Sequence, residues 1–186
     1  MHSIVLGYRR NDQPGYVSRL ADNLEDRFGT VVFRDVDSIL AGDKWNQVLR
    51  RKVSSTKLVI AVIGSGWASE LRRRDDSPDT DYVRLELQTA RETGIPVVPV
   101  LLDNTPLPND DVLGELAWIR NIQTHHLSDS QGRWNFDVSQ LMHSVTIISD
   151  IKPKNSIKLK TPLLLTLAAI TGFVLALTYW NFSNSG

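Results

Sequence analysis

Short hydrophobic runs alternate along this chain with stretches in which apolar residues recur at helical spacing. The runs predict five strands, at residues 4–8, 31–34, 58–63 and 97–102 and, more weakly, at 121–127. Each run is bounded by polar residues or glycine, which is typical of strands buried in a sheet. Residues 4–127 therefore read as a series of strands, each separated from the next by room for a helix.

The segments between these runs have the pattern of amphipathic helices. Tyr16, Leu20, Leu24 and Phe28 recur every four residues, and Gly29 ends the pattern in the manner of a C-cap. Further helices are predicted near residues 45–53 (with Asp43 as N-cap), 79–93, 112–117 and 136–148, whereas 72–76 are predicted as a solvated loop. Alternating strands and helices predict an α/β fold with a doubly wound, five-stranded parallel sheet of flavodoxin-like architecture.

Residues 161–180 have a different pattern, with no polar face and no charge. Fourteen of these 20 residues are apolar, and Tyr179 and Trp180 close the segment where interfacial aromatic residues belong. Twenty helical residues extend about 30 Å, the thickness of the hydrocarbon core of a bilayer. We expect a single transmembrane helix here, whose small residues Ala168, Gly172 and Ala176 provide a stripe for self-association.

Charge is segregated along the chain although the formal total is zero. Residues 1–151 hold 17 basic and 21 acidic side chains, a net charge of −4, which disfavours nucleic acid as a partner. Lys152, Lys154, Lys158 and Lys160 precede the apolar segment, so the positive-inside rule predicts a cytoplasmic N-terminal domain on a single-pass membrane protein. The expected division is a domain at 1–149, a lysine-rich linker at 150–160, the span at 161–180 and a tail at 181–186; the start of the chain resembles a strand rather than a signal peptide.

Several familiar sites are excluded by the residues themselves. The chain has no cysteine, so it forms no disulfide or cysteine-based zinc site. The loop Gly64-Ser65-Gly66-Trp67 lacks the ending of a P-loop, no GxGxxG follows the first strand, and Arg9 and Arg10 occupy the place where a receiver domain needs acids for magnesium. We interpret His125 and His126 as surface residues rather than metal ligands, and we predict no metal site and no cofactor.

Ligands in parallel sheets bind beyond the carboxyl ends of the strands. Three segments meet that edge in the predicted fold: 8–10 after the first strand, 34–43 after the second and 64–67 after the third. Glu86 lies near the boundary of the apolar face of the helix that follows.

These segments resemble, in order, the motifs of a TIR domain. The resemblance rests on the runs at 4–10 and 33–42, on Tyr82-Val83-Arg84-Leu85-Glu86-Leu87 and on the strand segment at 94–100, and it extends over about 4–148. It is closer to bacterial and metazoan TIR domains than to plant receptors. Many TIR domains cleave NAD+ at the nicotinamide–ribose bond or form cyclic ADP-ribose products, whereas others are non-catalytic adaptors that assemble through TIR–TIR contacts.

The resemblance implies that Glu86 is the catalytic glutamate, with NAD+ as substrate. Tyr82 stands where the family often has tryptophan, which changes the size of the aromatic wall. One ionised carboxylate suits this chemistry because nicotinamide leaves as a neutral base and an oxocarbenium-like ribose develops. The expected substrate-binding residues are two cations for the pyrophosphate, aromatic rings for stacking and polar side chains of the two loops: Tyr8, Arg9, Arg10, Asp37, Trp45, Ser65 and Tyr82.

Structural alternatives to these roles stay open in the sequence. Glu86 could be an ordinary exposed helix acid, Arg9 and Arg10 could pair with Asp35 or Asp37, and Trp45 and Trp67 are as compatible with a core as with a ring platform. Two functions follow: a membrane-anchored NAD+-cleaving effector, acting in antiphage defence, or a non-catalytic signalling and assembly module. In both, an upstream sensor or activator, self-association and membrane lipid are the expected partners, and residues 35–44 resemble the family's mobile gating loop.

Overall fold

The computed structural model describes residues 3–29, 32–33, 45–75 and 80–154. These residues form one compact unit, which ends at Lys154. The strands are β1 (Ile4–Gly7), β2 (Val32–Phe33), β3 (Leu58–Ile63), β4 (Val97–Leu102) and β5 (His125–Leu127). The helices are α1 (Pro14–Phe28), α2 (Trp45–Ser54), α3 (Trp67–Asp75), α4 (Tyr82–Glu92), α5 (Asp110–Leu113), a 3-10 helix (Gly114–Asn121) and α6 (Gln131–Ser149).

The five strands form one parallel sheet in the order β2-β1-β3-β4-β5. This is the flavodoxin-like order, so the predicted architecture is confirmed. Register places Gly7 beside Ala61 and Ile63 beside Leu101. The carboxyl ends of β1 and β3 are therefore neighbours, and the loops that follow them share one edge of the sheet.

Alternate residues of β1, β3 and β4 contribute to two separate cores, one on each face of the sheet. Leu58, Ile60 and Val62 of β3 pack with α1 and α6, whereas Val59, Ala61 and Ile63 pack with the helices of the other face. β3 is buried along its whole length, as expected for a central strand covered on both sides. The continuous apolar run at 58–63 predicted this strand with the correct ends.

The prediction of a solvated loop at 72–76 is wrong for the residues that the structure describes, because 72–75 belong to α3. Only Trp67 and Leu71 of this helix are buried, so its apolar pattern is a single i, i+4 pair. The charged side chains of α3 form ion pairs. Arg73 and Arg74 pair with Glu70 of the same helix, and Asp75 pairs with Arg84 of α4. The sequence suggested that the arginines and aspartates of this run compensate one another, but in the described pairs their partners lie outside the run.

Smaller differences concern the ends of elements. α1 ends before Gly29 as predicted, and α4 begins at Tyr82 because Asp81 caps it by accepting a hydrogen bond from Arg84 N. The helix expected at 112–117 is divided into α5 and the 3-10 helix, and β5 is shorter than the run at 121–127. Asp43, the expected cap of α2, lies outside the described residues.

The predicted transmembrane segment at 161–180 also lies outside the described residues. Within the residues that are described, no helix is both long enough and apolar enough to cross a bilayer. The span therefore stays a prediction from the sequence.

The ion pairs of α3 can be tested through their dependence on pH. Hydrogen bonds from Arg73, and secondarily from Arg74, lower the pKa of Glu70 to about 2 from its ordinary 4.5, against the opposing effect of burial. Because the folded-state pKa is lowered, the contribution of Glu70 to stability is complete above about pH 4.5 and is lost as the pH falls towards 2. NMR titration of the Glu70 carboxyl should give a midpoint near pH 2, and Arg73→Gln should move that midpoint towards 4.5. A midpoint of 4.5 in the unchanged protein would contradict the ion pairs of α3.

Candidate active site

A cleft of about 410 Å³ opens at the carboxyl edge of the sheet, within the range of small-molecule sites. Its walls come from the loop after β1, from the beginning of α3 and from the first two turns of α4. Both charged and apolar side chains line it: Leu6, Tyr8, Arg9, Arg10, Asn11, Asp12, Gly66, Ser69, Glu70, Arg74, Asp81, Tyr82, Val83 and Glu86. The structure thus brings together five of the eight residues expected at the site: Tyr8, Arg9, Arg10, Tyr82 and Glu86.

Glu86 is a buried member of this wall, with 5% of its surface exposed. The reading of Glu86 as an ordinary exposed helix acid is therefore wrong. Its carboxylate lies against β1 at Gly7, where an added Cβ would stand 3.0 Å from Glu86 Oε2. The glycine at the end of β1 thus leaves the space in which the carboxylate sits.

Arg9 has a different environment from the one expected for a cation that awaits a pyrophosphate. Its Nη1 and Nη2 donate to the two carboxylate oxygens of Asp81 at 2.8 Å each, and both side chains are buried, at 6% and 7% exposure. The guanidinium also lies 5.4 Å from the ring centroid of Trp67. Arg9 therefore connects the end of β1 to the cap of α4, the helix that carries Tyr82 and Glu86.

Asp12 ties together the loops that follow β1 and β3. Its carboxylate accepts hydrogen bonds from Gly64 N and Gly66 N, at 2.9 Å each. A side chain at Gly64 would collide with this carboxylate, since an added Cβ would lie 2.5 Å from Asp12 Oδ1. The glycines of this loop therefore allow the carboxylate of Asp12, from the loop after β1, to approach closely, whereas the sequence alone suggested only a tight turn.

The remaining expected residues are not part of the described cleft. Ser65 is exposed between the two glycines that bind Asp12, but it does not line the cleft. Asp35 and Asp37, the side chain of Trp45 and the expected gating loop at 35–44 lie outside the described residues. Trp67 is fully buried, so it belongs to the core and supports Arg9.

His125 and His126 lie on β5, away from this cleft. Burial, and secondarily the charge of His126, lower the pKa of His125 below its ordinary 6.5. In the part of the chain that the structure describes, no group of three or more histidine, cysteine, aspartate or glutamate residues is arranged to hold a metal ion.

The ion pair between Arg9 and Asp81 can be tested against an exposed pair of the same length. Arg50 and Glu92 also meet at 2.8 Å, but their side chains are 46% and 59% exposed. Asp81→Asn keeps a residue that can cap α4 yet leaves Arg9 buried without a counter-charge, so we expect a loss of about 3–5 kcal/mol in the free energy of unfolding. Glu92→Gln should cost less than about 1 kcal/mol. Equal losses in urea unfolding would contradict a structural role for the buried pair.

Comparison with known proteins agrees with this fold. The family model described as the TIR domain matches residues 4–141. The structure is similar to the TIR domains of the activated Roq1 resistosome directly recognizing the pathogen effector XopQ, with a TM-score of 0.57 and 18% identity over 78% of this chain and 99% of that one. A flavodoxin-like domain from Synechococcus sp has a TM-score of 0.42 and 16% identity over 76% of this chain and 99% of its own.

A comparison with curated proteins finds no match. The likeness to the resistosome domains, at 18% identity, concerns the fold. The family match is broader evidence, because it covers well over half of the chain and includes every strand of the sheet. The chain therefore belongs to the TIR domain family.

Proposed function

We propose that this protein is a membrane-anchored TIR effector that cleaves NAD+ at the nicotinamide–ribose bond, with Glu86 as the catalytic residue. The observation that carries the proposal is the burial of the Glu86 carboxylate in the wall of a cleft of ligand size. Glutamate is among the residues that are least often buried, and ionisable groups buried in the wall of a cleft concentrate at functional sites. NAD+ is a substrate here, and the proposal includes no cofactor.

A single carboxylate is sufficient for the bond cleavage. The bond between ribose C1′ and the nicotinamide nitrogen breaks, and its electron pair neutralises the pyridinium, so the leaving group needs no proton. Positive charge develops on the ribose, where a carboxylate that contacts the ribose hydroxyls stabilises the transition state more than the ground state. Water then adds to C1′ and releases a proton, which gives ADP-ribose; attack by a group of the ADP-ribose itself would give a cyclic product instead.

The other cleft residues suit the rest of a dinucleotide. Tyr8 and Tyr82 offer rings for stacking, and Arg10 is exposed at the cleft while the Nη atoms of Arg9 are engaged by Asp81. We therefore assign the pyrophosphate to Arg10, and we assign to Arg9 the positioning of α4. Asp37, Trp45 and Ser65 remain proposed substrate contacts.

The proposed anchor is compatible with an accessible cleft. α6 follows β5 at the carboxyl edge and runs back, so the chain leaves the domain at the amino edge of the sheet, where Lys154 N donates to Arg27 O near the end of α1. The cleft lies at the opposite edge. With the segment at 161–180 in the bilayer and the lysines on the cytoplasmic side, NAD+ in the cytoplasm could reach the cleft unobstructed by the chain's exit.

Activation by self-association completes the proposal. The matched TIR domains belong to an activated resistosome, which supports assembly as the active state. Confinement to a membrane raises the effective concentration of the domains, so that an upstream sensor would need only to cluster them. Loss of NAD+ would then stop an infected cell, the role proposed in antiphage defence.

Glu86→Gln is the direct test of the catalytic role. The amide keeps the size of the side chain but not its charge, so the rate of NAD+ cleavage should fall at least about 100-fold. Release of nicotinamide from NAD+ is measured chromatographically with the full chain in vesicles at increasing surface density. Glu115, an exposed residue of the 3-10 helix, provides the matched control, and Glu115→Gln should keep full activity.

Equal activity of the Glu86→Gln protein and the unchanged chain would contradict the assignment of Glu86. Folded, clustered protein that leaves NAD+ intact at every density would contradict the enzymatic proposal and favour the non-catalytic assembly module.

Gly7→Ala tests whether NAD+ cleavage depends on the position of the Glu86 carboxylate. The added methyl would press on Glu86 Oε2 from 3.0 Å and displace the carboxylate by a few tenths of an ångström. We expect a roughly tenfold to hundredfold loss in NAD+ cleavage, because small misplacements of a catalytic group are costly. Gly15→Ala is the control, since no atom lies within 4 Å of a Cβ added there. A Gly7→Ala protein as active as the Gly15→Ala protein would show that this contact is unimportant.

A further inference from the structure

The outer side of α6 exposes large apolar side chains. Among the residues that the structure describes, the large hydrophobic residues with high exposure are Phe136 at 58%, Ile147 at 67% and Ile148 at 43%, and all three belong to this helix. The inner side of α6 packs into the core through Trp134, Leu141 and Val145. Ile148 lies about 100° around the helix from Ile147. We call Phe136 and Ile147 the α6 apolar face.

The α6 apolar face consists of two separated side chains on one stripe of the helix. Phe136 and Ile147 are 11 residues apart, about three turns, so they lie on one stripe of the helix about 16 Å apart along its axis. Gln140 and His143 occupy the exposed positions between them. The stripe therefore presents apolar groups at both ends and no carboxylate in the middle.

The acid of α6 does not face solvent. Asp137 is buried, and its carboxylate accepts hydrogen bonds from Ser128 N and from Arg133 Nε, both at 3.1 Å. The outer side of α6 thus carries no exposed carboxylate, although residues 1–151 as a whole have an excess of acids. Within α6 itself, therefore, no exposed carboxylate repels an anionic surface, and the nearest exposed acid along the chain is Asp150, directly after the helix.

Basic residues follow the α6 apolar face directly. Lys152 and Lys154 are exposed, and the sequence continues with Lys158 and Lys160, so residues 147–160 hold four lysines against one acid, Asp150. Six residues lie between Lys154 and Thr161, the beginning of the proposed span, so seven Cα–Cα steps join the two. Even fully extended they reach only about 25 Å.

We propose that the α6 apolar face and Lys152 and Lys154 rest on an anionic lipid surface. Apolar side chains beside lysines are the composition of interfacial membrane contacts, in which the apolar groups enter the headgroup region and the lysines meet lipid phosphates. A second copy of the chain fits less well, because a symmetric contact would bring the lysines of both copies together, whereas anionic lipid neutralises them. The inference rests on the proposed anchor, but not on NAD+ cleavage.

The absence of cysteine allows an unambiguous test with the full chain. Phe136→Cys and Ile147→Cys are each labelled with an environment-sensitive nitrobenzoxadiazole dye and reconstituted in vesicles of phosphatidylcholine with or without phosphatidylserine. Ser54→Cys is the matched control, since Ser54 is exposed on α2, on the opposite face of the sheet. The emission of the two α6 probes should shift to the blue and be quenched by spin-labelled lipid, more strongly with phosphatidylserine, while the control probe stays water-like.

Further measurements distinguish contact with anionic lipid from contact with a second copy of the chain. Lys152→Gln with Lys154→Gln should reduce the effect of phosphatidylserine, and added salt should do the same. Probes that shift only as the protein-to-lipid ratio rises, without lipid quenching, would overturn the proposal in favour of a second copy. Flotation of the same samples reports on the anchor: protein that floats with water-like α6 probes overturns the lipid contact and leaves the anchor standing, and protein that does not float overturns both.

Discussion

The buried ion pair between Arg9 and Asp81 is the interaction on which the geometry of the cleft depends. It joins the end of β1 to the cap of α4, and α4 carries the two side chains, Tyr82 and Glu86, that face the loop after β1. Asp12 makes a second connection, to the loop after β3. Two acids and one arginine thus hold three elements together, and the space between those elements is the cleft.

The parts of the fold that could be predicted are those in which the hydrophobic pattern of the sequence matches the burial of the residues in the folded protein. The run at 58–63 is buried on both faces and α1 has one apolar stripe, so each was predicted with nearly correct ends. α3 was missed because it buries only Trp67 and Leu71, while its arginines look like a loop until their pairing with Glu70 is known. A helix that buries a single i, i+4 pair has too short a hydrophobic period to detect.

The candidate site also contains residues that the sequence predicted and contacts that it did not. Glu86 could be identified from the family resemblance, and the rule for parallel sheets placed it near Tyr8 and Arg10 at one edge. The partnership of Arg9 with Asp81, 72 residues apart, has no local signal, and neither does the hydrogen bonding of Asp12 to a loop that is more than 50 residues away. Gly7 was correctly predicted as part of a strand, but the sequence carries no signal that it leaves room for the Glu86 carboxylate.

A structure of the Glu86→Gln protein with NAD+ bound tests the central claim most directly, because a slow variant keeps the substrate intact. The account predicts that the nicotinamide riboside lies in the cleft beside Tyr8 and Tyr82, with ribose hydroxyls within hydrogen-bond distance of the side chain at position 86. The pyrophosphate should lie near Arg10. NAD+ bound with its nicotinamide riboside outside this cleft would contradict the assignment of the site and of its catalytic residue.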